Sequence, residues 1–217
     1  MTADDGTEGL ATYTIPMLLE KGVPCTFGLL STSAVLTNAS YLETLQSAID
    51  AGCAVAMHGS AQWASMTEKA LNDYFDTTEA FFATKGITEV QGAICPGGAN
   101  ADTNTMVQCV AGGRYGVVCS GGLHGGEIWY GDNYHMAGAR TNAFAINRCS
   151  AIHLDTQAKI QAIVDYAYDN HLILMPFWHD YTVITDSAYK SAIEGMIDYA
   201  KTKGLEFITL GQIKTII

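Results

Sequence analysis

Apolar and polar positions along the chain fall into two alternating kinds of block. Stretches with apolar residues at helical spacing are separated by short, continuous apolar runs, and glycine closes most of the helical stretches. "ATYTIPMLLEKG" carries a helical period and stops at Gly22, and "VPCTFGLL" follows as a buried strand. "SYLETLQSAIDAG" is a helix ending at Gly52, with "CAVAMHG" as the next strand. "TEKALNDYFDTTEAFFATKG" is a long amphipathic helix closed by Gly86, and "VQGAICPGG" is strand then loop. "NTMVQCVAGG" predicts a helix and "YGVVCSGG" a strand; residues 121–145 are looser and rich in Gly, Asn and aromatics. "FAINRCSAI" reads as extended, "TQAKIQAIVDYAYDN" as a helix and "HLILMPFWH" as a strand. "AYKSAIEGMIDYAKTKG" is the last long helix and "LEFITL" the last predicted strand.

Strands alternating with helices over this length imply βα units and a mostly parallel sheet or barrel. In such folds ligands bind at the carboxyl ends of the strands. The polar residues that end the apolar runs are then the ones to examine: Asp4 and Asp5, His58, Cys95 to Gly98, Arg148, and His179 with Asp180. Taken alone, Asp4-Asp5-Gly6 reads as a solvated turn, since Asp favours turns and Gly supplies positive φ. Its position at the end of the first predicted strand, level with other strand ends of like chemistry, favours a site.

Composition narrows the field. The chain has 217 residues, 48% apolar and 15% charged, enough for one sizeable core, and no repeat or linker divides it. One domain over residues 1–217 is expected. The formal net charge of −11 argues against a nucleic-acid or anionic-membrane surface and against a strongly anionic polymer as substrate. No signal peptide and no membrane-spanning apolar run is present. The acids begin at position 4, so the first strand looks truncated and the chain reads as cut from a longer protein. The six cysteines form no C-x-x-C pair and read as free, core-packed thiols.

The ordered set "TADDG", "MHGSAQW", "CPGGAN", "NRCSAI" and "LMPFWHD" resembles the polysaccharide deacetylases, the NodB homology or carbohydrate esterase family 4 domain, in a subgroup with a Y-P-G-G type loop. The resemblance runs over nearly the whole chain and implies a distorted (β/α) barrel. It implies hydrolysis of acetyl groups on a glycan, either an N-acetylated amino sugar polymer or an O-acetylated polysaccharide. It also implies a divalent metal, zinc first with cobalt or nickel as alternatives, and an extracytoplasmic or cell-envelope setting. By carry-over Asp4 is the general base and Asp5 a metal ligand; the cation makes adjacent carboxylates tolerable. His58 matches the first histidine of the H-[ST]-x-x-H motif, while the second is replaced by Gln62. Residues four apart share a helical face, so Gln62 is expected to point at the same place, as a weaker, neutral ligand.

The arginine that many members place before the third-motif prolines is absent at Cys95. Cys95, Pro96, Gly97 and Gly98 are expected to line the substrate groove, with Arg148 as the replacement partner that holds Asp4 ionised through a fork-like contact. In the L-x-x-H strand end, His179 is the general acid, and Asp180 is placed to orient its imidazole. Trp178 and Trp63 are groove candidates, with core packing as their alternative. In the region 121–145, His124, Glu127, Asp132 and His135 are ligands by type only, and Trp129, Tyr130 and Tyr134 are candidate sugar contacts. Two other readings stand beside the hydrolase. One is a carbohydrate-binding pseudoenzyme with a decayed metal site, and the other a differently activated amidohydrolase on the same fold.

Overall fold

The computed structural model describes residues 1–95, 105–119, 148–151, 154, 156–213 and 215. Its sheet has seven parallel strands: β1 (Thr2–Asp5), β2 (Thr26–Leu29), β3 (Ala54–His58), β4 (Ala93–Ile94), β5 (Val118–Cys119), β6 (Cys149–Ser150) and β7 (Pro176–His179). They run in the order β5-β4-β3-β2-β1-β7-β6. The helices are α1 (Ile15–Lys21), α2 (Ala34–Thr37), α3 (Ala39–Asp50), α4 (Glu68–Thr84), α5 (Thr105–Tyr115), α6 (Gln157–Asp169), α7 (Asp180–Val183), α8 (Ser187–Thr202) and α9 (Leu210–Ile213). A π-turn, Leu10–Thr14, leads into α1, and a 3-10 turn, Ala61–Ser65, follows β3. This is the expected distorted (β/α) barrel. Among the described residues, no helix is long and apolar enough to cross a membrane.

The helices start and stop where their end chemistry predicts. Asn38, Thr67, Thr156 and Asp186 cap α3, α4, α6 and α8 by accepting backbone N–H bonds of the first turn. Gly22 closes α1 in the left-handed region. The strands are shorter than the apolar runs suggest. Of "HLILMPFWH" only Pro176–His179 pairs, and of "FAINRCSAI" only Cys149–Ser150 does so within the described residues. "LEFITL" forms no strand: the Thr209 N–H donates to Gln212 Oε1 and the Leu210 N–H to Thr26 Oγ1, so side chains take the bonds a ladder needs.

Strand β1 is short but central. It pairs with β2 from Thr2↔Thr26 to Asp5↔Leu29 and with β7 from Thr2↔Phe177 to Asp4↔His179. Neighbours on both sides therefore hold the acids. Period-two alternation puts Thr2 and Asp4 on one face, in rows with Phe177 and His179. Cys25, Cys53, Cys95 and Cys119 are buried as expected, while Cys109 is exposed and Cys149 intermediate.

The chain turns sharply after Asp4. Asp5 has φ of 75° and Gly6 of 62°. Ser33 latches this turn, donating from Oγ to the Asp5 carbonyl at 2.5 Å. A Cβ at Gly6 would lie 2.5 Å from Leu29 Cδ2 and 2.8 Å from Ser33 Oγ. Gly6→Ala is therefore expected to lower stability by about 2–3 kcal/mol through left-handed strain plus overlap. Urea unfolding should show a lower midpoint at an unchanged slope; an unaltered midpoint would contradict the packing described for this turn.

Candidate active site

The carboxyl ends of β1, β3 and β7, with the residue preceding β6, bring together Asp4, Asp5, His58, His179 and Arg148. Asp4 is 1% exposed and Arg148 2%. Arg148 Nη1 donates to Asp4 Oδ1 at 2.9 Å, Asp4 Oδ2 at 2.8 Å and Thr2 Oγ1 at 2.8 Å. One nitrogen spans both carboxylate oxygens, so this contact is not the expected fork. The guanidinium also sits over the Phe177 ring, 4.4 Å from its centroid. Burial alone would raise the Asp4 pKa. The charge of Arg148 and the hydrogen bond from His58 outweigh it and hold the carboxyl well below the usual range.

His58 ends β3, and its ring is fixed from behind. Nδ1 lies 2.7 Å from the Gly59 carbonyl and donates to it, which turns Nε2 toward the acids. Nε2 stands 3.5 Å from Asp4 Oδ2 and 3.7 Å from Asp5 Oδ1. Two ligand atoms at about 2.1 Å from a tetrahedral zinc lie about 3.4 Å apart, so Asp5 Oδ1 and His58 Nε2 suit a shared cation. A third donor is the weak point. Among the described residues no group of three His, Cys, Asp or Glu side chains is arranged to hold a metal ion. Gln62 is exposed and lies on the 3-10 turn, whereas His58 ends a strand. The two share no helical face, so their spacing does not aim Gln62 at the site.

His179 is partly buried. The Phe177 ring meets it edge-on at 5.7 Å and the Tyr181 ring lies 5.3 Å away. Burial lowers its pKa; Asp4 and Asp5 oppose the shift, while Arg148 and His58 add to it. Asp180 does not orient the imidazole. Its side chain is fully buried on the other side of the strand end, where Oδ1 accepts from Thr14 Oγ1 at 2.6 Å. Burial pushes Asp180 up to about 8 against that hydrogen bond, with the Asp4 charge adding to the rise.

The groove expectations need correction. Trp178 and Trp63 are both fully buried, Trp63 edge-on to Phe75 at 5.1 Å, and neither lines a groove. Cys95 is also fully buried, inside the core beneath the strand ends. Burying large aromatic area outweighs exposing it, and the pleat turns residue 178 away from the face that holds His179. Pro96, Gly97, Gly98, His124, Glu127, Asp132, His135, Trp129, Tyr130 and Tyr134 lie outside the described residues. A cavity of about 360 Å³ opens among apolar residues such as Met1, Met175, Phe207 and Ile208, at the amino ends of the strands. None of the candidate site residues lines it.

Sequence reasoning missed Thr2, Phe177 and Gly28. A Cβ at Gly28 would lie 2.9 Å from His58 Cδ2 and 3.3 Å from Asp4 Oδ1, so the bare backbone makes room for both. A glycine inside an otherwise apolar strand was the available signal. Thr2 and Phe177 carried none, because the arginine they hold is distant in sequence.

No family model matches the chain, and no curated protein matches it. Solved structures do. The CE4 domain of a multidomain xylanase from the hindgut metagenome of Trinervitermes trinervoides aligns with a TM-score of 0.62 at 18% identity, over 99% of this chain and 88% of that one. A family 4 carbohydrate esterase from Streptomyces lividans, in complex with acetate, aligns with a TM-score of 0.59 at 18% identity, over 95% and 88%. A CE4 family pseudoenzyme from Bacillus anthracis aligns with a TM-score of 0.57 at 13% identity, over 99% and 65%. The chain is similar to these in fold.

Asp180 yields a pH prediction. Its pKa rises from an ordinary 3.8 to about 8 on folding. Between those values the folded chain keeps a proton that the unfolded chain releases, so stability falls as pH rises through this window. Asp180→Asn cannot ionise. Its unfolding free energy should gain on the wild type from pH 4 to pH 8, by at most about 1.4 kcal/mol per pH unit. Parallel stability curves for the two proteins would contradict the buried neutral acid.

Proposed function

We propose that the chain is a metal-dependent hydrolase removing acetyl groups from a glycan, an N-acetylated amino sugar polymer or an O-acetylated polysaccharide. In this reading residues 1–217 form one catalytic domain. The observation that carries it is the buried Asp4 carboxylate, paired with Arg148 and set beside a histidine that turns Nε2 toward Asp5. The fold shared with carbohydrate esterases supports it.

Each residue then has a task. Asp4 stays ionised at working pH and accepts the proton of the attacking water. Because Arg148 holds its pKa low, Asp4 is a weak base and needs a water that is already acidified. Asp5 and His58 would hold the divalent cation, zinc first with cobalt or nickel as alternatives, with Gln62 or solvent completing the set. That cation would lower the pKa of water and polarise the acetyl oxygen. His179 gives a proton to the leaving amine or alcohol; its lowered pKa makes it a stronger acid once protonated. Arg148 orients Asp4.

A second reading, a carbohydrate-binding pseudoenzyme, rests on the neutral amide at position 62 and its exposure. The two readings separate on acetate release from chitooligosaccharides, peptidoglycan and acetylated xylan with added zinc, cobalt or nickel. Release is expected, and Asp4→Asn should lower kcat by about 10²–10⁴. Full activity in Asp4→Asn would remove Asp4 as the base; no release with any metal would leave the binding protein. Where residue 62 faces the cation, Gln62→His should tighten zinc binding about tenfold in calorimetry. Unchanged affinity would place residue 62 away from the cation.

A further inference from the structure

Among the described residues no hydrogen bond reaches the His179 imidazole, which is flanked by the Phe177 and Tyr181 rings. Its direction therefore depends on where the end of β7 is held. The flanking residues point the other way, into the core, and meet at one atom. Trp178 Nε1 donates to Thr14 Oγ1 at 3.4 Å, and Thr14 Oγ1 donates to Asp180 Oδ1 at 2.6 Å. All three side chains are fully buried. Thr14 is the last residue of the π-turn, a rare conformation that is frequent at functional sites. The start of that turn presses on the same place: a Cβ at Gly9 would lie 2.5 Å from the Asp180 carbonyl oxygen.

We propose that the Thr14 hydroxyl is a positioning residue for His179, clasping the chain on both sides of the imidazole. The proposal rests on His179 being the proton donor of the reading above. Trp178 and Asp180 lie two residues apart on one face of the strand end, and a single hydroxyl is short enough to serve both. It accepts from the indole and donates to the carboxyl, which uses its one proton and one of its lone pairs. Asp180 Oδ2 has no partner among the described residues, so the carboxyl is tied at one oxygen only. Loss of the Thr14 hydroxyl would leave the buried indole N–H and the buried carboxyl to pair with each other without the bridge between them. Closing that gap requires the strand end to shift, and His179 moves with it.

The test compares Thr14→Val, which keeps the shape and removes the hydroxyl, with Thr14→Ser, which keeps the hydroxyl. Both are studied at a temperature where near-ultraviolet circular dichroism shows them folded. Thr14→Val should lower kcat for acetate release about tenfold to hundredfold, with KM nearly unchanged, and shift the His179 imidazole signals in NMR. Thr14→Ser should restore both. A Thr14→Val protein with unchanged kcat and unshifted His179 signals would overturn the proposal, as would a Thr14→Ser protein as impaired as Thr14→Val. If the wild type releases no acetate, the deacetylase reading fails, and the NMR signals still decide the clasp by the same two outcomes. If Thr14→Val does not fold, Trp178→Phe removes one arm of the clasp. A shift of the His179 signals in that variant supports the proposal, and no shift overturns it.

Discussion

A carboxylate buried at the end of a central strand is the constraint to which the rest of this structure answers. Taking the Asp4 charge out of water costs several kcal/mol, and only close, well-directed partners offset it. Arg148 supplies the opposite charge, and is itself too buried to be solvated. It must therefore be satisfied in turn, which Thr2 and the face of Phe177 help to do. These residues come from β1, β7 and the lead into β6, so one ion pair ties three neighbouring strands together. Removal of either charge would leave the other stranded, which is why the pair is a structural commitment as well as a chemical one.

The same electrostatics favours positive charge beside it. Asp4 and Asp5 bring two negative charges to one strand end, and Arg148 neutralises only the buried one. His58 is turned so that Nε2 faces both acids while Nδ1 is occupied by the Gly59 carbonyl. The two carboxylates raise the His58 pKa against its burial and so favour a proton or a metal at Nε2. The site therefore has a preference for positive charge written into its geometry before any ligand arrives.

Strand ends offer precision only if the backbone around them is rigid. Here the π-turn, the Gly6 turn and the missing side chain at Gly28 each let backbone approach more closely than an ordinary residue allows. Gly28 gives Asp4 and His58 their space, and the turn after Asp5 is held by Ser33. These are local departures from regular structure, and they cluster around the acids while α3, α4, α6 and α8 keep conventional caps and amphipathic faces.

Much of the fold was legible in the pattern of apolar positions, because helix faces and buried strands leave periodic marks that do not depend on their partners. The alternation of elements, the helix ends at Gly22, Gly52 and Gly86, and the polar residues at strand ends all followed from the chain alone. The expectation that Arg148 partners Asp4 came instead from the family resemblance, in which Arg148 replaces the motif arginine absent at Cys95. Other points needed the tertiary structure. "LEFITL" has the composition of a strand, yet side chains take its backbone bonds. Trp178 and Trp63 have the chemistry of sugar platforms, but the pleat and the gain from burial send both into the core. Gln62 follows His58 at helical spacing, but the chain between them is not helical. Asp180 adjoins His179 in sequence and points away from it. Spacing along the chain determines which residues can share a face; only the fold determines which face is turned toward the site.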